Sequence, residues 1–208
     1  MAETRQAARR PWYLVLALLI CSGIGACEST AGWTTIELYR GHIDDRSHEM
    51  TREDDSKAVA SSFQKMLAGL DEERPRAFPL AVGELVLGIA VFVFAAAAMT
   101  GRGGARRALV QLMVAQTILV LAIFFVTPKF RAAETEWLVA QQSGQMLEKG
   151  QPEAEVRRDM AALRAFRRGL GVALLVLRAS IAGLVLLALT RPRARAYYDA
   201  QGEPEAEG

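Results

Sequence analysis

The stretch that decides the fold is Gly169-Leu-Gly-Val-Ala-Leu-Leu-Val-Leu-Arg178-Ala-Ser-Ile-Ala-Gly-Leu-Val-Leu-Leu-Ala-Leu-Thr190, a largely apolar run with one charge, Arg178, closed by Arg191-Pro192. A hydrocarbon core about 30 Å thick takes roughly 20 such residues as a helix. Three more runs of this kind lie upstream. Trp12 to Cys27 carries no charge, and the aromatic pair Trp12-Tyr13 stands 21 residues before Trp33. At 1.5 Å per residue that is about 32 Å, the spacing of two interfacial aromatic belts, so the first span is read as 12–33. Phe78 to Thr100 opens with Pro79, suited to a first helical turn, and holds one charge, Glu84. Ala108 to Thr127 holds none and stops at Pro128.

These runs account for the composition. Of 208 residues 51% are apolar and 23% charged, with 25 Lys plus Arg against 23 Asp plus Glu. That excludes a disordered chain, and the segregation of the apolar residues excludes a soluble single-core domain. The expected class is all-α, a polytopic membrane protein with four transmembrane helices in an antiparallel bundle and a small helical extramembrane cap. Its segments are an N-terminus 1–11, spans 12–33, 78–100, 108–127 and 169–190, a basic connection 101–107, long loops 34–77 and 128–168, and a tail 191–208.

Orientation follows from arginines near span ends. Arg9-Arg10 abut the first span, the connection 101–107 has Arg102, Arg106 and Arg107 and no acid, and Arg191, Arg193 and Arg195 follow the fourth. The weighting of such residues in short loops places both termini on the cytoplasmic side of a plasma (inner) membrane. A competing reading of the N-terminus is a signal peptide, since Ile24-Gly25-Ala26-Cys27 resembles a lipoprotein-type cleavage site.

The long loops carry helical periodicity. After a capping-box-like start at Thr51–Asp54, Val59, Phe63, Met66, Leu67 and Leu70 recur at spacings of three and four, predicting a helix over about 52–72 that ends between Asp71 and Pro75. Trp137, Leu138, Ala140 and Leu147 mark a second helix stopped by Gly150; Val156, Met160, Leu163 and Leu170 mark a third that enters the fourth span. Amphipathic stripes outside a membrane need burial, so the three are expected to pack on one another. The tail from Tyr197 is expected to be disordered.

Most chemistry is missing. Cys21 and Cys27, six apart on a helix, are about 9 Å apart by rise, beyond disulfide reach, and no Cys-x-x-Cys occurs. The histidines, His42 and His48, both precede the second span, so haem ligation between spans is excluded. A helical His42, Asp45, Glu49 triplet would suit a divalent ion, but polar loops produce such triplets by chance, and neither metal nor cofactor is expected. Ser22 has no His or Lys within a span to activate it, and Gly101-Arg-Gly-Gly lacks the Gly-Lys-Ser/Thr of a phosphate loop.

Glu84, Arg178 and Gln116 remain. A charge near mid-bilayer costs at least about 2.5 to 3.5 kcal/mol, so both ions should face protein. Counted from the span starts, Glu84 lies about 7.5 Å and Arg178 about 13.5 Å deep, and a long arginine reaching outward meets the carboxylate level. A polar network of Glu84, Arg178 and Gln116 is therefore expected. Small residues suit close helix approach at Ser22 and Ala26, at Ala81 and Gly88, and at Ala179 and Gly183. The function expected is non-enzymatic: an accessory, assembly or structural subunit that binds other membrane-protein subunits, or itself, within the lipid bilayer, with no nucleic acid. The alternative is an oligomeric channel, transporter or sensor using the polar network.

Overall fold

Apart from short connections the described residues are helical, which satisfies the backbone polar groups within each segment where a bilayer offers no water. The computed structural model describes residues 10–40 and 57–202. Its helices are α1 (Trp12–Tyr39), α2 (Lys57–Met99), α3 (Gly103–Val126), α4 (Pro128–Glu148), α5 (Glu153–Thr190) and α6 (Pro192–Gly202). Four of them, α1, α2, α3 and α5, are long and apolar enough to cross a membrane. The chain is thus an all-α, multi-pass membrane protein.

The helices divide into two units, the first formed by residues 1–32, 83–119 and 178–208 and the second by 33–82 and 120–177. In the first unit, Leu14, Leu18 and Cys21 of α1 are buried with Val91, Ala95 and Ala98 of α2, Leu109 and Met113 of α3, and Ala182, Val185 and Leu189 of α5. Each set steps by three or four residues, so each helix presents one seam to the centre. The opposite faces stay apolar, with Leu16, Leu19, Ile89, Ile118, Leu184 and Leu187 exposed, which is stable only against lipid or another protein.

In this unit α1 and α2 approach backbone to backbone. A Cβ at Gly25 would stand 2.6 Å from the Phe92 backbone nitrogen and 2.7 Å from the Gly88 carbonyl oxygen, and one at Gly88 would stand 2.6 Å from Ser29 N. Glycine is required at both positions because backbone meets backbone. Ser29 Oγ donates to the Gly25 carbonyl at 2.7 Å. The crossing therefore uses Gly88 as expected, but Gly25 and Ser29 in place of Ser22 and Ala26. Ser22 is half-buried and Ala26 exposed.

The short connections tie off helix ends. Gly101, at φ +89°, turns the chain after α2. Tyr198 Oη donates to the Ala98 carbonyl at 2.9 Å, Arg10 donates to the Met99 carbonyl, and Arg106 Nη1 donates to the Leu189 carbonyl at 3.0 Å. Carbonyls in the last turn of a helix have no partner of their own, and cations there also match the helix dipole. Arg10 and Arg106, two of the arginines near span ends, thus cap α2 and α5. The expected disorder from Tyr197 is corrected as far as Gly202, where α6 ends, with Tyr197 and Tyr198 buried and edge-on at 5.2 Å; residues 203–208 lie outside the described residues. Two aromatic rings supply enough apolar surface to dock this otherwise polar helix.

The second unit buries most of the amphipathic stripes on one another, although Leu147 and Leu170, expected on two of them, are exposed. Val59, Phe63, Met66 and Leu70 are buried; Phe63 meets Trp137 at 5.7 Å between centroids, and Val139 packs with Val156 and Met160. The helix expected to end at Asp71–Pro75 continues without a break through Pro75 and Pro79 into the second span. Both prolines are exposed, so the carbonyls they leave unpaired face outward. Gly150, at φ +76°, ends α4 as expected, and α5 enters the fourth span unbroken. The capping-box segment Thr51–Asp54 and the His42, Asp45, Glu49 triplet lie outside the described residues.

Candidate functional site

In the first unit α1, α2 and α5 bring three charged side chains together. Glu28 of α1 is 4% exposed and Glu84 of α2 is 7% exposed. Arg178 Nη2 of α5 lies 3.4 Å from Glu28 Oε1, and Glu84 is one turn from Gly88, where a Cβ would stand 2.6 Å from the nitrogen of Ser29, the residue after Glu28. Among the described residues, the carboxylate in ion-pair contact with Arg178 is Glu28, in place of the expected Glu84. Sequence reasoning missed Glu28 because the uncharged run stops at Cys27, which put the next residue at the interface. The signal was the Trp12–Trp33 spacing, which sets Glu28 inside the first span.

Position on the helix seams explains the convergence. On α2 the stripe Ala81, Glu84, Gly88, Val91 and Ala95 is buried at every member. On α5 the seam of Ala182, Val185 and Leu189 continues at the same spacing to Arg178. Gln116 follows Leu109 and Met113 on the seam of α3 and is 3% exposed, with neither amide atom hydrogen-bonded. Glu28 Oε2 is likewise buried without a donor.

Arg178 has one side buried and one side open. Its side chain is 52% exposed, against 5% for that of Glu28. Above it on the same seam Leu174 is 49% exposed, and no residue from Val172 to Ile181 is buried. Ala179 is exposed, and a Cβ at Gly183 would meet nothing within 4 Å, so these two small residues do not serve the packing expected of them inside this chain.

The second unit holds a different device. Glu73, 6% exposed on α2, accepts from the backbone N–H of Lys129 at 2.8 Å through Oε1 and from that of Phe130 at 3.1 Å through Oε2. These are orphan donors in the first turn of α4, whose own cap residue, Thr127, turns its hydroxyl back to the Ile123 carbonyl. Burial, reinforced by the Glu73 charge, pushes the nearby Tyr39 phenol up to about 12. The same unit has an open cleft of about 630 Å³ between α2, α4 and α5, bordered by Lys65, Glu136 and Arg164. There Arg164 Nε donates to both Glu136 oxygens, at 3.1 and 3.0 Å. Among the described residues no group of three His, Cys, Asp or Glu is placed to hold a metal.

No family model, curated protein or solved structure matches this chain.

Proposed function

We propose that this protein is a non-enzymatic accessory or assembly subunit of a membrane complex, and that the Arg178 side of α5 receives a transmembrane helix from another subunit. One observation carries the reading. Arg178 lies near the middle of its span on the seam that faces the protein core, yet half of it is uncovered. A guanidinium left against hydrocarbon is costly, and intramembrane cations are compensated by acids, backbone carbonyls or water. Glu28 compensates one side. A neighbouring helix bearing a carboxylate or free carbonyl compensates the other, and exposed Ala179 with open Gly183 lets its backbone come close. Both termini are cytoplasmic in this reading, and the membrane is the plasma (inner) membrane.

A photo-crosslinking residue at Ala179 or Gly183, in native membranes, tests it. Discrete protein adducts are expected from both positions and not from Ile118 on the lipid-facing side of α3, and Arg178→Leu should remove them. Identical lipid-only products from all three positions would refute the proposal. The second reading, an oligomeric channel, transporter or sensor built on Glu84, Arg178 and Gln116, is favoured by the unpartnered polar atoms of Gln116 and Glu28.

A further inference from the structure

The interior of the first unit holds an arrangement that partner binding at α5 does not explain. Glu28 and Glu84 are both enclosed at the α1–α2 crossing, where a Cβ on Gly88, one turn from Glu84, would stand 2.6 Å from the nitrogen of Ser29, the residue after Glu28, yet two ionised carboxylates offer only acceptors. Glu28 spends Oε1 on Arg178, and its Oε2 is enclosed without a donor. The charges do not balance either: two carboxylates and one guanidinium leave one negative charge inside the bundle.

Gln116 points to the same place independently. A Cβ on Gly83 would lie 3.5 Å from Leu119 Cδ2, which fixes the antiparallel register of α2 against α3. Counting back three residues sets Gln116 level with position 86, within about 3 Å of Glu84 along the axis at 1.5 Å per residue. Both residues lie on interior seams, and the Gln116 amide is enclosed with neither atom partnered. A buried amide in that state has both donor and acceptor capacity unspent at the level of the carboxyl groups.

We infer that Glu28 and Glu84 form a proton-binding site within the membrane, which carries one exchangeable proton between the two carboxyls while Arg178 balances the remaining charge. One proton supplies the missing donor and brings the cluster to neutrality, which burial demands. The groups facing the pair are Glu28 from α1, Glu84 from α2 and Arg178 from α5; α3 contributes the neutral Gln116. Loading and unloading changes the charge beside Arg178 by one. The inference stands whether or not a subunit docks on α5.

Infrared difference spectroscopy of the full chain in lipid discs tests it through the carbonyl stretch of a protonated carboxyl. Wild type at neutral pH should show one such band, shifted in heavy water and lost on alkaline titration. The band should vanish in Glu84→Gln, which keeps the Glu28–Arg178 pair, and in Glu28→Gln, because either change leaves one carboxylate matched to one guanidinium. Glu73→Gln, in the second unit, should leave it in place. Absence of the band from wild type would overturn the inference whatever the variants do. So would its survival in Glu84→Gln, or its loss on adding sodium at fixed pH, which would assign the site to a metal cation.

Discussion

Arg178 and Glu28, 150 residues apart, meet at 3.4 Å between the fourth span and the first, one half exposed and the other enclosed. Removing Arg178 leaves the enclosed Glu28 carboxylate without its counterion, while removing both partners takes the pair out together and leaves Glu84 as the one acid of the cluster. Arg178→Gln should therefore lower thermal stability by an amount near the bottom of the about 3 to 5 kcal/mol typical of a broken buried pair, since half of the guanidinium is already uncovered. Glu28→Gln with Arg178→Gln should recover most of that loss in a melting experiment. Losses that simply add would mean that the contact contributes nothing.

The α1–α2 crossing makes a sharp contrast between two glycines two residues apart. Gly25→Ala pushes a methyl into the backbone of α2 and should cost about 1 to 3 kcal/mol, the range for overpacking. Gly23→Ala meets nothing within 4 Å and should be neutral or stabilising by up to about 1 kcal/mol through helix propensity. Denaturation of both variants in the same detergent checks the order.

Much of this fold was legible because bilayer thickness and helical periodicity leave coarse marks: four apolar runs, stripes at Val59–Leu70 and Val156–Leu163, and Gly150 as a stop. Helix continuity was not. Pro75 reads as a terminator, but two exposed prolines on one long helix are tolerated when their freed carbonyls face outward. α6 was hidden because only Tyr197 and Tyr198 in it are large and apolar. The polar site was half legible. Glu84, Arg178 and Gln116 stand out as polar residues within apolar runs, whereas Glu28 sits at the end of one. Depth arithmetic places side chains at a level without deciding which of two acids an arginine meets.

Glu73 offers a test outside the spans. Glu73→Gln keeps one acceptor oxygen but removes the charge and one of two backbone contacts to α4, so a loss of about 2 kcal/mol is expected, within the range for charged hydrogen bonds. Tyr39 reports on the same place. With its phenol pushed up from 10.0 to about 12, the folded chain keeps a proton that the unfolded chain has lost, so stability should fall as pH rises across that window. In Glu73→Gln the ultraviolet titration of Tyr39 should move to lower pH, because the repelling carboxylate is gone. An unchanged titration would show that Glu73 does not act on the phenol.

Orientation has its own check. Single cysteines at Ser61, Gly104 and Gln201, in a chain lacking Cys21 and Cys27, should react with an impermeant thiol reagent added outside intact cells only at position 61. Labelling of position 104 from outside would invert the topology.

The most direct test of the subunit reading is the mass of the native assembly released from membranes in mild detergent. A chain whose half-covered Arg178 is completed by another helix should leave the membrane in a discrete complex heavier than its own 22.7 kDa, and Arg178→Leu should release it from that complex. Wild type that emerges as a single stable chain, with no bound protein and a melting temperature equal to that in the membrane, would contradict the account.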